Sequence, residues 1–287
     1  MRFPHRHRLA DSSSLRVTAE TIDFTEAALR AALRMSDGLR IVVQPQFNLD
    51  TGRIVGAEAL VRWRYQGREI APEHFLPPLI RLGLERDLFE FVLDQAQNLL
   101  LTLESFNIQC PISVNASATI MSCADMPGSL DARLRQSGLP AHLLKIEITE
   151  DVAAPDLEAL AVRLSGVRKC GIGVSMDDFG VGRSTMKRLV SLPFSELKID
   201  RMFVQEIANP ASHAVVQTSL SLGAKLGIQV VAEGVETGEQ AILLRDMGCS
   251  RAQGFGLSAP LEVGAFIGYL ARHEMANRIS AMEHKGN

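Results

Sequence analysis

Short β-rich runs alternate with longer helical stretches along this chain, and this alternation constrains its fold more than any other feature. Repeated strand-helix units predict a largely parallel sheet with helices packed outside it. Eight such runs predict that the sheet closes into a (β/α)8 barrel. The runs are Ile41–Gln46, Ile54–Arg62, Ile112–Asn115, Leu143–Thr149, Ile172–Asp177, Leu197–Asp200, Ile228–Glu233 and Ala252–Phe255. The clearest helical patterns between them are Glu85–Leu103, Leu157–Lys169, Ser212–Leu226 and Glu239–Met247.

The first two runs depart from this rhythm. Only Phe47–Arg53 joins them, and it contains the turn-forming residues Asp50, Thr51 and Gly52. A connection of this length suits a hairpin and is too short for a parallel crossover. The sequence therefore predicts a modified barrel with one antiparallel strand, in which the first two strands form a hairpin.

The composition is that of an ordinary globular protein and excludes intrinsic disorder, with 46% hydrophobic and 22% charged residues among 287. Lys and Arg number 30 and Asp and Glu number 33, a formal net charge of −3. This balance argues against a partner that is polymeric nucleic acid. It leaves room for a small phosphate-bearing ligand held by a few cations.

The cysteines and the termini indicate a cytoplasmic protein with no membrane partner. The four cysteines lack the paired spacing of zinc sites, and a chain of this length needs no disulfides, so we expect reduced thiols. Met1–Arg8 is rich in Arg and His without a following apolar region, unlike a signal peptide. No apolar run of about 18 residues, the length of a membrane span, occurs.

We expect four segments along the chain. Residues 1–22 form a flexible lead, 23–38 a linker helix, 39–265 the barrel, and 266–287 a C-terminal helix and tail. Asp23 is the expected cap of the linker helix, and Phe24, Ala28, Leu29 and Leu33 form its apolar stripe.

Polar residues recur on one face of the strands, at or near their C-terminal ends. Side chains alternate between the two faces of a strand, and the opposite faces here are aliphatic, as at Ile146 and Ile148. The aliphatic faces should meet the helices, and the polar faces should point into the barrel. Barrel enzymes place their chemistry at this end. The polar residues expected to converge are Glu58, Asn115, Glu147, Asp177, Lys198, Glu233 and Gln253, with Asp178 and Glu150 nearby.

So many carboxylates in one pocket repel each other unless their pKa values rise or cations bind. Carboxylate oxygens with one Asn amide suit Mg²⁺ or Mn²⁺. Asp177 and Asp178 offer neighbouring carboxylates, as two close metals would need, and such metal pairs cleave phosphodiesters. Lys198 could orient a water and offset developing negative charge.

Taken singly, these residues have simpler explanations. Glu58 could be a solvated strand-end acid, Asn115 a turn residue, and Lys198 a surface charge. Asp178 could open a tight turn before Gly180. Glu150 could cap the following segment, and Arg62 could pair with a barrel acid. One polar residue at the matching end of nearly every run favours a shared function.

These residues lie in a sequence that resembles the EAL domain family of bacterial cyclic di-GMP phosphodiesterases. The resemblance runs from Leu39 to Leu261, and its many ordered motifs make it specific. The motifs are Gln44-Pro45, the run Gly56–Trp63, Ser113–Asn115, Glu147–Glu150, Asp177–Gly180, Leu197–Asp200, Val231–Thr237 and Gln253–Phe255.

The resemblance implies a modified (β/α)8 barrel that hydrolyses cyclic di-GMP to linear pGpG with two Mg²⁺ or Mn²⁺ ions. The following roles carry over by motif. Glu58, Asn115, Glu147 and Asp177 would hold the first metal, and Asp177 would bridge to a second metal that Asp178 helps to bind. Lys198 would hydrogen-bond the attacking water, and Glu233 and Gln253 would complete the site through water and substrate contacts. Gln44 and Arg62 would hold the ligand, and Glu150 would anchor the loop after the Asp pair.

The chain departs from the family pattern in two places. Val181, Arg183 and Met186 replace the usual Thr, Tyr and Leu of the loop after Asp178, and Ile80 replaces an expected acid. Neither change removes a metal ligand, so we expect turnover. The alternatives are a catalytically weak EAL domain that acts as a cyclic di-GMP receptor, or a protein-interaction regulator. By analogy, we expect a homodimer and allow for a regulatory protein partner.

Overall fold

The computed structural model describes residues 25–35, 38–149, 156–181 and 185–272. The strands are β1 (Leu39–Asn48), β2 (Ile54–Tyr65), β3 (Arg68–Ile70), β4 (Ile112–Ala116), β5 (Leu144–Thr149), β6 (Gly173–Phe179), β7 (Glu196–Ile199), β8 (Gln229–Ala232), β9 (Arg251–Ala252) and β10 (Leu261–Glu262). The helices are α1 (Glu26–Met35), α2 (Pro72–Arg81), α3 (Glu85–Ser105), α4 (Ala118–Met121), α5 (Met126–Ser137), α6 (Leu157–Lys169), α7 (Thr185–Ser191), α8 (Arg201–Gln205), α9 (Pro210–Leu226) and α10 (Gly238–Asp246). A 3₁₀ turn covers Ala141–Leu143, and residues 263–272 are helical.

Eight strands close into a barrel in the order β1-β9-β8-β7-β6-β5-β4-β2, with β2 returning to β1. Every neighbouring pair from β2 round to β9 is parallel. The remaining strand, β1, is antiparallel to both of its barrel neighbours, β2 and β9. The predicted modified barrel with one antiparallel strand is confirmed.

The hairpin between β1 and β2 forms as the short connection predicts. Its pairing runs from Leu39 opposite Trp63 to Phe47 opposite Ile54. Asn48 Oδ1 accepts hydrogen bonds from the backbone N–H groups of Asp50 and Thr51, at 3.1 and 2.8 Å. The side chain of Asn48 thus shapes the turn that reverses the chain.

Two short strands extend the sheet beyond what the sequence predicted. β3 forms a second hairpin on β2, with Trp63 opposite Ile70. β10 pairs with β1 through Val42 and Val43. The eighth predicted strand is also shorter than expected, since β9 ends at Ala252 and leaves Gln253 just beyond the ladder.

The main core lies between the barrel and its helices, where the aliphatic faces of the strands were expected to point. Ile146, Ile148 and Val174 are fully buried in it. α6 spans the predicted residues, and Asp156 caps it by accepting from the N–H groups of Glu158 and Ala159. The outward aliphatic faces leave the inward faces of the same strands free for polar side chains.

α1 begins at Glu26, and Thr25 Oγ1 accepts from the N–H of Ala28 at 3.2 Å. The predicted cap, Asp23, lies outside the described residues. Leu29 and Ala32 are buried, and α1 contacts α3. At the other end, Phe266 and Leu270 of the helix over 263–272 are buried in the main core. The division of the chain into four segments stays a prediction.

Two further expectations concern the cysteines and the membrane. Cys110 and Cys249 are buried, Cys123 and Cys170 are half-buried, and none of the four forms a disulfide in this structure. In the described part of the chain, no helix combines the length and the apolar character that a bilayer crossing requires.

Candidate active site

A single lysine sits at the centre of the acidic cluster inside the barrel. Lys198 Nζ lies 2.6 Å from Glu147 Oε2 and 2.7 Å from Glu233 Oε1. Asp177 Oδ1 is 2.9 Å away and Glu58 Oε2 is 3.1 Å away. One ammonium group therefore faces four carboxylates, so the cluster carries excess negative charge whenever all of them are ionised.

The side chains of this cluster come from the inward faces of neighbouring strands. Asn115 on β4 lies opposite Glu147 on β5, and Thr149 on β5 lies opposite Asp177 on β6. Gln44 on β1 lies opposite Glu58 on β2. Glu58 lies opposite Ser113 and Glu147 opposite Ser175, so Asn115 and Asp177 are each two positions further along, a stagger that the tilt of barrel strands brings to one place.

Hydrogen bonds fix both oxygens of Glu58. Asn115 Nδ2 donates to Oε1 at 2.8 Å, while Gln253 Nε2 and Lys198 Nζ donate to Oε2 at 2.8 and 3.1 Å. Gln253 Nε2 also donates to Glu233 Oε1 at 2.7 Å. The carboxylate of Glu58 is thus held in one orientation by three donors from three other strand ends.

Asp177 and Asp178 share one site although neighbours in a regular strand point to opposite faces. The pairing of β6 with β7 shifts register between Met176 and Phe179, and Asp178 has a left-handed φ of +55°. This irregularity turns Asp178 towards the mouth of the barrel. Oxygens of Asp177, Asp178 and Glu233 then lie within 4.8 Å of one another.

The acids of the cluster differ in pKa because their surroundings differ. Burial would raise the pKa of Glu58, but the Lys198 charge and hydrogen bonds from Gln253 and Asn115 lower it. Burial, with the charges of Glu58 and Asp177, raises the pKa of Glu147 to about 8. Glu58 is thus ionised at neutral pH in this environment, whereas Glu147 holds a proton.

The remaining groups follow the same physics. Burial and the charges of Asp177 and Asp200 raise the pKa of Asp178 to about 7. Burial raises the pKa of Glu233 well above its ordinary value. Burial opposes the charge of Lys198, but the surrounding carboxylates raise its pKa well above the ordinary value. Uptake of protons is one way for the cluster to relieve repulsion, and binding of cations is the other.

The geometry of the acids fits divalent cations. Two groups of three carboxylates each place one oxygen per residue within 4.8 Å of the others. One comprises Glu58, Glu147 and Asp177, the other Asp177, Asp178 and Glu233. Glu147 Oε1 is buried without a hydrogen-bond partner among the described residues. An unpaired buried carboxylate oxygen is a ready ligand for a hard cation, and Asp177 belongs to both groups.

The mouth above the cluster is a cavity of about 260 Å³. Gln44 lines it, and Gln44 Nε2 lies 3.4 Å from the carbonyl oxygen of Ser258. Six further lining residues were not predicted. They are Gly234 and Glu236 after Glu233, Gly254 and Phe255 after Gln253, and Arg201 and Gln205 in α8.

The model of the EAL domain family matches residues 26–260. This chain belongs to the EAL domain family. Among curated relatives of the EAL domain, the bifunctional diguanylate cyclase/cyclic di-GMP phosphodiesterase MucR of Pseudomonas aeruginosa is 38% identical over 247 residues, 85% of this chain and 36% of MucR. Cyclic di-GMP phosphodiesterase PA2567 of the same organism is 33% identical over 236 residues, 82% of this chain and 40% of that protein. The chain thus spans well under half of each relative.

Solved structures of EAL proteins share the fold. The MucR phosphodiesterase in complex with c-di-GMP has a TM-score of 0.78 at 37% identity, over 84% of this chain and 98% of that one. The EAL enzyme Bd1971, bound to cAMP and cyclic-di-GMP, has a TM-score of 0.78 at 28% identity, over 86% and 70% of the two chains. These likenesses confirm the predicted family and barrel.

Of the predicted residues of the EAL site, Arg62 lies at a neighbouring cleft, and Glu150 lies outside the described residues. Arg62 is half-buried, and its Nη1 donates to the carbonyl oxygen of Val61 at 2.8 Å. Arg62 lines a neighbouring, mostly apolar cleft of about 310 Å³ together with Asn115 and Ile80. Glu150 lies outside the described residues, so its role as a loop anchor stays a prediction.

The loop after Asp178, where this chain departs from the EAL family pattern, lies only partly within the described residues. Val181 and Met186 are exposed, with 50% and 54% of their surface accessible, and Arg183 lies outside the described residues. Gly180 is left-handed at φ +107°, and a Cβ there would lie 2.6 Å from the Phe203 ring. The close contact of Gly180 with Phe203 fixes the start of this loop directly after the Asp pair.

Proposed function

We propose that this EAL domain hydrolyses cyclic di-GMP to linear pGpG with two divalent cations, Mg²⁺ or Mn²⁺. The observation that carries the proposal is the place of Asp177 in both carboxylate groups, beside Lys198. Two such cations would activate a water and stabilise the charge that develops on the phosphate. Relatives named as cyclic di-GMP phosphodiesterases support the choice of substrate.

The first cation would be held by Glu58, Glu147, Asp177 and Asn115. Asn115 Nδ2 donates to Glu58, so the carbonyl end of the same amide remains as a ligand. Asp177 and Asp178 would hold the second cation. The predicted roles therefore agree with the two carboxylate groups, and Glu233 belongs to the second of them.

Lys198 and Glu233 would act on the water rather than hold the cations. Lys198 carries three N–H bonds and donates two hydrogen bonds, to Glu58 and Glu147. Once cations offset the carboxylate charge, its ammonium is free to orient the attacking water. Glu233 lies 2.7 Å from Lys198 Nζ, where its carboxylate can accept a hydrogen bond from the same water.

The reaction forms one bond and breaks one. The water oxygen bonds to phosphorus, and the phosphorus bond to the 3′-oxygen of one ribose breaks. The proton lost by the water balances the proton gained by the leaving 3′-oxygen. The 5′-phosphate of pGpG is thereby produced, and the second phosphodiester stays intact.

The substrate would extend beyond the cavity over the carboxylates. That cavity, about 260 Å³, is at or below the small end of the ligand pockets in proteins, about 300–1,000 Å³. The adjoining apolar cleft offers about 310 Å³ more, with Arg62 and Asn115 at its edge. We assign one base to this cleft, a phosphate to Arg62 by charge-assisted hydrogen bonds, and a contact with the ligand to Gln44.

One incubation tests the proposal. Purified protein with Mg²⁺ or Mn²⁺ should convert cyclic di-GMP to pGpG, and a chelator should stop the conversion. Separation of the nucleotide products by chromatography is the measurement. Folded protein that binds cyclic di-GMP but releases no pGpG with either metal would instead be a receptor. Protein that binds no cyclic di-GMP would favour an interaction regulator.

By resemblance alone we also propose a cytoplasmic homodimer with a possible regulatory protein partner. Sedimentation equilibrium of the purified chain tests the dimer, because a monomer at micromolar concentrations would contradict it.

A further inference from the structure

Gln46 lies beneath the active site on β1, fully shielded from solvent. It lies opposite Gly56 on β2, where the register of the hairpin shifts before Phe47. A Cβ on Gly56 would lie 3.0 Å from Gln46 Oε1. The absence of a side chain at Gly56 thus leaves the space that the amide of Gln46 occupies inside the barrel.

Gln46 makes one side-chain hydrogen bond within the described structure. Its Nε2 donates to Gln253 Oε1 at 3.0 Å. Its own Oε1 is buried and has no hydrogen-bond partner in the described part of the chain. A buried amide oxygen without a hydrogen-bond partner carries an energetic cost. The hydrogen bond that Gln46 donates to Gln253 is the favourable interaction that its side chain makes in return.

The orientation of the Gln253 amide follows from its acceptors. Nε2 donates to carboxylates of both Glu58 and Glu233, which uses its two N–H bonds. A rotated amide would turn its carbonyl oxygen towards two carboxylates. Gln253 Oε1 must therefore face away from them, and Gln46 supplies the donor on that side.

We propose that Gln46 is a positioning residue, which acts on the active site only through Gln253. Its donation to Gln253 Oε1 selects the amide orientation that holds Glu58 and Glu233 in place for the cations. Among the described residues the Gln46 side chain hydrogen-bonds to Gln253 and to neither carboxylate, and Gln46 does not line the cavity above them. The proposal rests on the proposed metal site and assigns a residue that supports it.

The test is a double-mutant cycle in which the measured quantity is the affinity for Mn²⁺ in the absence of substrate. Electron paramagnetic resonance of free Mn²⁺ gives this affinity. The variants are Gln46→Met, Gln253→Met and both together, since Met keeps the size of Gln but has no donor. Gln46→Met alone should weaken Mn²⁺ binding about tenfold, as expected for residues that orient metal ligands. In the Gln253→Met background it should change the affinity less than about twofold, because coupled residues are non-additive.

Two outcomes would overturn the proposal: unchanged Mn²⁺ affinity in folded Gln46→Met, or the same loss with and without Gln253. Gln46→Asn covers the case in which Gln46→Met does not fold. It keeps the amide but shortens the side chain by one methylene, so it should weaken Mn²⁺ binding in the same direction, and wild-type affinity would contradict us.

The release of pGpG by the wild-type protein is a separate measurement. Wild-type protein that binds Mn²⁺ without cleaving cyclic di-GMP would refute the proposed function and leave the cycle interpretable. Wild-type protein that binds no Mn²⁺ would refute both.

Discussion

Lys198 Nζ and Glu147 Oε2 lie 2.6 Å apart in the interior of the barrel, and both side chains are almost completely buried. The other oxygen of Glu147 has no hydrogen-bond partner among the described residues. The pair therefore combines a short buried hydrogen bond from Lys198 with an unfilled acceptor on Glu147. Its stability should depend both on the lysine and on cations that reach the acceptor.

Lys198→Met should destabilise the metal-free protein and abolish turnover. Removal of one partner of a buried ion pair costs about 3–5 kcal/mol, because the remaining charge is left uncompensated. The free energy of unfolding, from urea denaturation in the presence of a chelator, is the measurement. Lys225→Met on the exposed end of α9 is the matched control and should change it by less than about 0.5 kcal/mol. Equal stability of the two variants would contradict the central role of Lys198.

Glu58→Gln should lower turnover at least about 100-fold while the fold is retained. This is the upper end of the losses found when groups that support a metal are replaced. Both oxygens of Glu58 accept hydrogen bonds, from Asn115 on one side and from Gln253 and Lys198 on the other. An amide in either orientation points N–H bonds at one of these donors. The measurement is the rate of pGpG release with circular dichroism as a check on folding.

The matched control for Glu58→Gln is Glu104→Gln, at an exposed position near the end of α3. It removes the same charge from the chain far from the cluster and should leave the rate unchanged. A rate for Glu58→Gln close to that of the control would show that the metal site is assigned to the wrong residues.

Mn²⁺ affinity should rise at least about tenfold from pH 6 to pH 8. In the metal-free protein the pKa of Glu147 is raised to about 8 and that of Asp178 to about 7, so cations must displace protons below these values. Calorimetry in two buffers of different ionisation enthalpy measures the protons released. Release should be largest near pH 6 and approach zero above pH 9. No release at pH 6 would contradict the raised pKa values.

The same raised pKa values predict how pH affects metal-free stability. A carboxyl group with a raised pKa in the folded state contributes stability that is fully present below its unfolded pKa. For Glu147 this contribution is lost as pH rises from about 4.5 to about 8. The melting temperature in chelator should fall over this range, and saturating Mn²⁺ should remove most of the fall.

Gly254→Ala should reduce both turnover and stability. A Cβ at Gly254 would lie 2.2 Å from the backbone N and O of Val235, next to Gln253. The two loops would have to separate, which moves the Gln253 amide away from Glu58. Gly248→Ala is the control, since Gly248 also has a positive φ but nothing lies within 4 Å of its Cβ position. Equal losses in the two variants would attribute the effect to backbone strain alone.

The barrel and most of the site could be predicted because both depend on strand periodicity. Alternation of aliphatic and polar residues identified the inward faces, and the short connection before β2 identified the antiparallel strand. Strand periodicity places Glu58, Glu147 and Lys198 on inward faces, and the stagger between tilted barrel strands brings them together. These features need only the period of a strand and the closure of a sheet.

What could not be predicted depends on local irregularity. Asp178 reaches the site through a register shift and a left-handed φ, for which a regular strand pattern has no signal. β10 is only two residues long and has no periodicity to detect. The hydrogen bond from Arg62 to the Val61 carbonyl depends on a side-chain conformation that spacing does not specify.

The reversed direction of β1 determines where preceding sequence joins the barrel. Leu39, the first residue of β1, pairs with Trp63, which lies beyond Glu58 on the side of the mouth. In a barrel of parallel strands alone, the first strand would begin at the opposite rim. Residues upstream of β1 therefore join the barrel at the rim where the carboxylate cluster lies, and not at the opposite rim.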